Sequence, residues 1–251
     1  MTVYGIGLGP GDAGLLTLAG KRLLEDADAV YASGDLSRSI AAEHVSESAV
    51  EELSFPMTDD DERLRRAWRT AARRVAEADR AGDVAVVTLG DPNVYSTFGH
   101  LRRTLEALHP DVEIEVIPGV SAATAFASAL DVEIEAGSGI ALREAIDGAA
   151  PVGPDRLVLF KVTDAKATAD KLTEAGYDVR FGQRLFMDEQ TVITDDPADL
   201  PGGEYFTLAY AEKRDLDRAF RTDVFRSNES RSEESRTENA RTTEPRTEGD
   251  Q

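Results

Sequence analysis

Gly90-Asp91-Pro92-Asn93-Val94-Tyr95-Ser96-Thr97-Phe98 directly follows Asp83-Val84-Ala85-Val86-Val87-Thr88-Leu89. That preceding run of apolar, β-branched residues reads as a buried parallel strand. Phe98, Leu101, Leu105 and Leu108 then fall at helical spacing, which predicts a helix beginning near Asn93 or Tyr95. A strand that passes through Gly-Asp-Pro into a helix places its loop at the carboxyl edge of an α/β sheet, where open sheets bind ligands. Gly90 permits close backbone approach, Asp91 brings a charge and Pro92 stiffens the turn. By itself the tripeptide is equally an ordinary turn capped by Asp91.

Toward the N-terminus, Thr2 to Leu8 reads as the first strand and leads into Gly9-Pro10-Gly11-Asp12. A helix with Leu16, Gly20, Leu23, Leu24 and Ala27 on one face follows, then a short strand from Ala29 to Ala32 and a polar loop from Ser33 to Ser39. Leu53 to Thr58 reads as extended. Thr58 is the expected N-cap of a helix that opens with Asp59, Asp60, Asp61 and Glu62. Its buried stripe is Leu64, Ala67, Trp68, Ala71, Val75 and Ala78, with Trp68 read as core. On the other side of the Gly90 stretch, Val112 to Ile117 is a strand ending in Pro118-Gly119-Val120-Ser121-Ala122-Ala123, and a helix of small residues with Phe126 and Leu130 follows.

From about Asp131 the character changes. Gly137-Ser138-Gly139 and Pro151-Val152-Gly153-Pro154 punctuate the chain. Longer strands are expected at Leu157 to Val162, Val179 to Met187, Gln190 to Thr194 and Tyr205 to Glu212, with one helix near Asp164 to Ala175. The alternation predicts an α/β protein of two lobes: a parallel lobe over residues 1–130 and a mixed-sheet lobe over 131–220. In residues 221–251 arginine recurs every fifth position among Ser, Thr, Glu and Asn. That composition cannot bury enough surface to offset its ordering entropy, so a disordered acidic and polar tail is expected.

Charge and composition exclude several function classes. The 48 acidic against 28 basic residues give a formal charge of −20. The last 25 residues hold seven acids and four arginines, so the excess is spread over the rest of the chain. Such a surface suits a salt-loaded cytoplasm, where screening makes self-repulsion tolerable, and a halophilic source is expected. It argues against nucleic-acid binding, which needs a basic face. There is no cysteine, His44, His100 and His109 are scattered, and no metal site is expected. No apolar run approaches ~20 residues and no leader is visible, so a cytoplasmic protein with no membrane contact is expected.

Gly9-Pro10-Gly11-Asp12-Ala13-Gly14 also matches the dinucleotide fingerprint G-x-G-x-x-G, with Asp35 where a ribose-binding acid belongs. A nicotinamide-dependent oxidoreductase is therefore a legitimate reading. Against it, Asp12 would set a second negative charge beside a pyrophosphate. The fingerprint also accounts for neither Gly90-Asp91-Pro92 nor Pro118-Gly119-Val120-Ser121.

Together, Val3-Tyr4-Gly5-Ile6-Gly7-Leu8-Gly9-Pro10-Gly11-Asp12, Gly90-Asp91-Pro92 and Ile117-Pro118-Gly119-Val120-Ser121 resemble the tetrapyrrole (class III) S-adenosylmethionine-dependent methyltransferases in order and spacing, from Thr2 to about Lys213. Phe55-Pro56-Met57-Thr58 and the segment from Leu89 to Phe98 look most like the branch that methylates C(20) of cobalt-factor II (cobalt-precorrin-2) or precorrin-2 in cobalamin synthesis. Methylation at another ring position, or a diphthine synthase-like activity, is the alternative. The resemblance implies a homodimer, S-adenosylmethionine between the lobes, a tetrapyrrole acceptor, and cobalt only as part of that substrate. It implies cofactor contacts from Pro10, Gly90, Asp91, Val94, Tyr95, Ser121, Ala122, Leu208 and Ala209, with Phe160-Lys161 nearby. Substrate contacts are expected at Gly9, Gly11 and Arg38; a basic rim drawn from Arg38, Arg102 and Arg103 would offset the acidic charge toward a polycarboxylate, and Arg102 and Arg103 read equally as solvated helix charges. No catalytic side chain is assigned. The sequence nominates no base; His100, one helical turn from Asn93–Phe98, is a candidate and reads equally as a surface or half-buried histidine.

Overall fold

The computed structural model describes residues 1–56, 58, 60–134, 138–187, 191–201 and 206–216. Met1–Glu212 form one compact unit. The expected tail lies outside the described residues, as do parts of the segments around 57, 135, 190 and 204.

The first sheet has the strand order β3-β2-β4-β1-β5. Its members are β1 (Thr2–Gly7), β2 (Ala29–Ala32), β3 (Val50–Glu52), β4 (Val84–Thr88) and β5 (Glu113–Ile117), and every pair is parallel. All five residues of β4 are buried, because helices cover both faces. Val84 and Val86 join Val3 and Tyr31 under α3 (Asp61–Asp79) and α4 (Phe98–Leu108). Ala85 and Val87 point the other way, with Ile6 and Val30, under α1 (Leu18–Asp26) and α2 (Asp35–Ala41). This period of two along each strand makes a three-layer lobe.

The second sheet has the order β6-β7-β10-β8-β9. It comprises β6 (Ile140–Glu144), β7 (Arg156–Phe160), β8 (Tyr177–Gln183), β9 (Val192–Thr194) and β10 (Thr207–Lys213). β6 and β7 are parallel, while β7–β10 and β8–β9 are antiparallel, so the sheet is mixed as expected. α6 (Ala165–Glu174) covers one face through Leu172. The other face receives α5 (Ala122–Ala129), whose Ala123 and Phe126 pack with Leu130 on Val158, Leu185 and Tyr210. Helix α5 leaves the parallel sheet and lands on the mixed one, which fixes the two lobes against each other.

Several local expectations are corrected. Ser33 to Ser39 is not a loop: Asp35–Ala41 is helix α2, because Ser37, Ile40 and Ala41 find a buried face. The N-cap of α3 is Asp60, which accepts from the backbone N–H groups of Glu62 and Arg63, while Thr58 accepts from Asp60. Trp68 is half-buried and stacks between Phe55 and His100, and Ala72 and Ala76 take the core places. β8 stops at Gln183, and Arg184–Met187 turns away, closed by Met187 N–H donating to Arg184 O. β6 was not foreseen; it has only five residues, with polar Arg143 and Glu144 at its end. Among the described residues no helix is long and apolar enough to cross a membrane.

Candidate active site

Three loops meet where β1, β4 and β5 end. Gly9 and Gly90 exchange backbone hydrogen bonds, with Gly90 N–H to Gly9 O at 2.7 Å and the return bond at 3.4 Å. A Cβ on Gly7 would lie 2.5 Å from Gly90 O and 2.7 Å from Gly119 Cα, so the three backbones touch with no room for a side chain. Asp91 ties the junction. One carboxylate oxygen accepts from Asn93 N–H at 2.8 Å and the other from Gly119 N–H at 3.2 Å. The aspartate thus closes its own turn and pins the neighbouring loop.

That Asx turn also sets where α4 begins. The chain passes through Tyr95 with φ 48° before the helix opens at Phe98, later than Asn93 or Tyr95. Ser96 Oγ accepts from Phe98 N–H and lies 3.0 Å from Thr88 Oγ1, fixing the first turn to β4. A tyrosine in the left-handed region is costly and persists only where the surroundings hold it. Here the hydroxyl donates to Leu142 O at 3.0 Å and the ring lies 5.1 Å from that of Phe160. Tyr95 therefore clips the Gly90 loop to the second lobe while remaining 42% exposed.

Between the lobes lies an open, largely apolar cleft. Pro10, Gly90, Asp91, Val94, Tyr95, Ser121, Ala122 and Leu208 all line it, so the structure gathers eight of the nine positions expected around the cofactor. Ala209 does not line it; it is fully buried in the core of the second lobe, beside Leu159. Phe160 and Lys161 are on the wall as expected. Leu89, Leu185, Phe186, Met187, Phe206 and Thr207 complete it. The Leu185–Met187 corner had no legible signal, since its residues continue the apolar pattern of β8. Besides Tyr95, Lys161 (φ 55°) and Phe186 (φ 63°) on this wall have left-handed backbones, a concentration of strain that marks functional sites.

The other expected positions are placed differently. Gly9 is buried in the loop junction. Gly11 packs on the Phe186–Met187 corner, where a Cβ would come within 2.5 Å of Met187 Cγ, so it serves the contact between lobes. Arg38 lies on α2, 3.5 Å from Glu47, and lines neither the cleft nor the depression beside it; the rim expected from Arg38 does not form there.

That adjoining depression shares Tyr95 and Lys161 with the cleft and is lined by Asn93, Thr97, His100, Arg102, Arg103 and Glu144. Lys161 Nζ lies 2.5 Å from Glu144, and Arg102 Nε 2.8 Å from Glu106. Burial, helped by the charges of Arg103 and Lys161, holds the His100 pKa below its ordinary value.

The dinucleotide reading fails on topology. In that fold β2 lies beside β1, which brings its terminal acid to the glycine loop. Here β4 intervenes between them. Asp12 instead caps a single 3-10 turn, Ala13–Leu15, and the α-helix opens only at Leu18 under the Thr17 cap.

An apolar cleft at the joined carboxyl ends of a parallel sheet, covered by a mixed-sheet lobe and bordered by a polar depression, is a small-molecule site without the strand order of a dinucleotide-redox fold. Residues 2–201 match the family model of the Tetrapyrrole (Corrin/Porphyrin) Methylases, and the chain belongs to that family. It is 39% identical over 141 residues to a protein of Methanocaldococcus jannaschii described as a probable cobalt-precorrin-2 C(20)-methyltransferase, covering 54% of this chain and 60% of that one. It is 30% identical over 239 residues to the cobalamin biosynthesis protein CobIJ of Mycobacterium tuberculosis, covering 80% of this chain and 46% of that protein. The chain thus matches about half to three-fifths of the length of these relatives. Among solved structures, uroporphyrin-III C-methyltransferase of Thermus thermophilus, complexed with S-adenyl homocysteine, superposes with a TM-score of 0.62 at 23% identity, over 84% of this chain and 97% of that one.

Proposed function

We propose that this protein transfers a methyl group from S-adenosylmethionine to C(20) of cobalt-factor II (cobalt-precorrin-2) on the route to cobalamin. The observation that carries the reading is the cleft itself, where Leu89, Gly90, Asp91, Val94 and Tyr95, from the segment that resembles the C(20) branch, form one wall. Identity to the Methanocaldococcus protein supports the ring position. Cobalt would enter only inside the macrocycle.

The cleft fits S-adenosylmethionine on its own chemistry. Leu89, Leu185 and Leu208 offer apolar walls to a flat base, and Gly90 and Ala122 leave room for close approach. A Cβ on Gly90 would meet only Ala122 N, at 3.8 Å, so the glycine leaves that space to a ligand. The rings of Tyr95 and Phe160 provide π-faces suited to a sulfonium. When bound, the cofactor supplies an electrophilic methyl. The chain's own share is alignment and exclusion of water, and alignment alone is worth up to ~7–11 kcal/mol of barrier. The adjoining depression offers Arg103, Asn93 and Thr97 to a polycarboxylate macrocycle, with Arg102 and Lys161 already engaged by carboxylates that a stronger partner could displace. As in the family it resembles, the protein would work as a homodimer, which sedimentation would test.

The test is an anaerobic, high-salt incubation with S-adenosylmethionine and cobalt-factor II, with metal-free precorrin-2 in parallel. Mass spectrometry counts the methyl groups and NMR locates them. One new methyl at C(20) is expected. A methyl elsewhere, or none while S-adenosylhomocysteine still binds, removes the C(20) assignment and leaves the family.

A further inference from the structure

Among the described residues that line the depression beside the cleft, one side chain, His100, can accept a proton at neutral pH without first leaving an ion pair. We propose that His100 is the proton acceptor of the transfer, taking the hydrogen from the ring carbon that receives the methyl. This rests on the C(20) reading above.

The geometry supports it in three ways. His100 lies on the first turn of α4, five residues beyond Tyr95 of the cleft wall, and shares its depression with Tyr95 and Lys161, which also face the cleft. A macrocycle whose reacting carbon faces the cleft across Tyr95 would extend over the imidazole. The ring is held in place from behind: it stacks on Trp68 at 5.2 Å and 21°, and Trp68 stacks on Phe55 at 4.0 Å. Stacking fixes the plane and leaves the ring edge open. Among the described residues neither ring nitrogen has a hydrogen-bond partner, whereas Lys161, Glu144, Arg102 and Glu106 around it are paired.

Electrostatics agree with the geometry. Burial of its inner face, then the charges of Arg103 on α4 and Lys161 after β7, disfavour the cationic form of the imidazole. Glu144 of β6 and Glu106 of α4 oppose that bias from the same depression, and Arg102 adds to it. Once a proton is taken, the indole face of Trp68 steadies the imidazolium. The step balances without a further reactant. The π-electrons at the acceptor carbon form the new carbon–carbon bond as the methyl–sulfur bond breaks, and sulfur keeps that pair. The carbon–hydrogen pair then returns to the ring conjugation as the proton passes to an imidazole nitrogen, and thence to water at the exposed edge.

Two variants and one binding measurement test this. His100→Gln keeps size and polarity but cannot hold the proton. Its kcat on cobalt-factor II is expected to fall ~10²–10⁴-fold with KM little changed. The acid limb of the wild-type pH profile, set by protonation of the base, should vanish with it. Added imidazole should restore part of the rate to His100→Ala. Without any methyl donor, adding the macrocycle should shift the NMR resonances of the His100 ring and leave those of His44 and His109 in place. A folded His100→Gln enzyme within threefold of wild type, or unmoved His100 resonances in a macrocycle-bound protein, overturns the assignment alone. A wild-type enzyme that methylates no tetrapyrrole overturns the C(20) reading and this step together.

Discussion

Gly119→Ala tests the loop junction on which the site is built. The added Cβ would lie 2.2 Å from Gly90 O and 2.7 Å from Gly7 Cα, both main-chain atoms that cannot swing aside. Ordinary contact begins near 3.4 Å, so the loops must part by about 1 Å. Overpacking costs ~1–3 kcal/mol, and rigid neighbours on both sides place this change at the upper end. For a chain of this size ~3 kcal/mol lowers Tm by roughly 6–12 °C. Parting the loops also stretches the 3.2 Å bond from Gly119 N–H to Asp91 and moves Gly90, which lines the cleft. A displacement near 1 Å can cost ~10²-fold in a positioned reaction, so S-adenosylhomocysteine affinity should fall as well. Calorimetric melting and titration read the two effects. The matched control is Gly99→Ala on α4, where a Cβ would meet only Arg103 Nη1 at 3.5 Å. That change should leave Tm level or raise it, since glycine inside a helix costs ~0.5–1 kcal/mol. A Gly119→Ala protein that melts within 2 °C of wild type (about the effect of 1 kcal/mol) and binds S-adenosylhomocysteine equally would refute the account of the junction.

Three further outcomes follow from the same structure. Asp91→Asn keeps one acceptor oxygen where two N–H groups are now served, and should cost ~1.5–3 kcal/mol by urea titration; unchanged stability would mean the carboxylate does not hold the Gly119 loop. Ala122→Leu keeps a good helix former at the start of α5 but fills the cleft, so S-adenosylhomocysteine affinity should drop at least ~10-fold with Tm nearly constant, and full affinity would place the cofactor elsewhere. Burial, then the hydrogen bond to Glu212, pushes the Tyr210 pKa up to about 12, against ~10 in the unfolded chain. Above pH 10 the unfolded state releases a proton that the folded state keeps, so stability should fall from pH 10 toward about 12 and not below 10. Tyr210→Phe should flatten that fall, leaving a remainder from Tyr31, which burial also raises; equal slopes in both proteins would contradict it.

Much of the first lobe was legible because its signals are local. The fully apolar β4, the Gly-Asp-Pro turn and the Pro-Gly-Val-Ser turn each follow from propensities of a few adjacent residues. The family resemblance these motifs carry implied Pro10, Asp91, Val94, Ser121 and Ala122, which the structure gathers along the cleft. Helix α2 was misread because its composition is polar, and only the face offered by β2 and β3 makes Ile40 and Ala41 core. The Leu185–Met187 corner was hidden for the opposite reason. Its apolar residues extend the pattern of β8, and the turn at Arg184 is imposed from a distance, by Arg184 N–H donating to Phe206 O.

The sequence by itself determined the α/β class, the two kinds of lobe and the family, since periodicity and loop motifs survive without knowledge of contacts. Tertiary structure alone decided which loops meet. The order β3-β2-β4-β1-β5 separates Asp35 from the first glycine loop and sets Gly7, Gly90 and Gly119 backbone to backbone. It also decided that Tyr95 takes a left-handed backbone and that His100 stacks on Trp68. Each of these depends on segments tens of residues apart, whose pairing follows from strand order and packing of the whole chain, and no window of sequence encodes it.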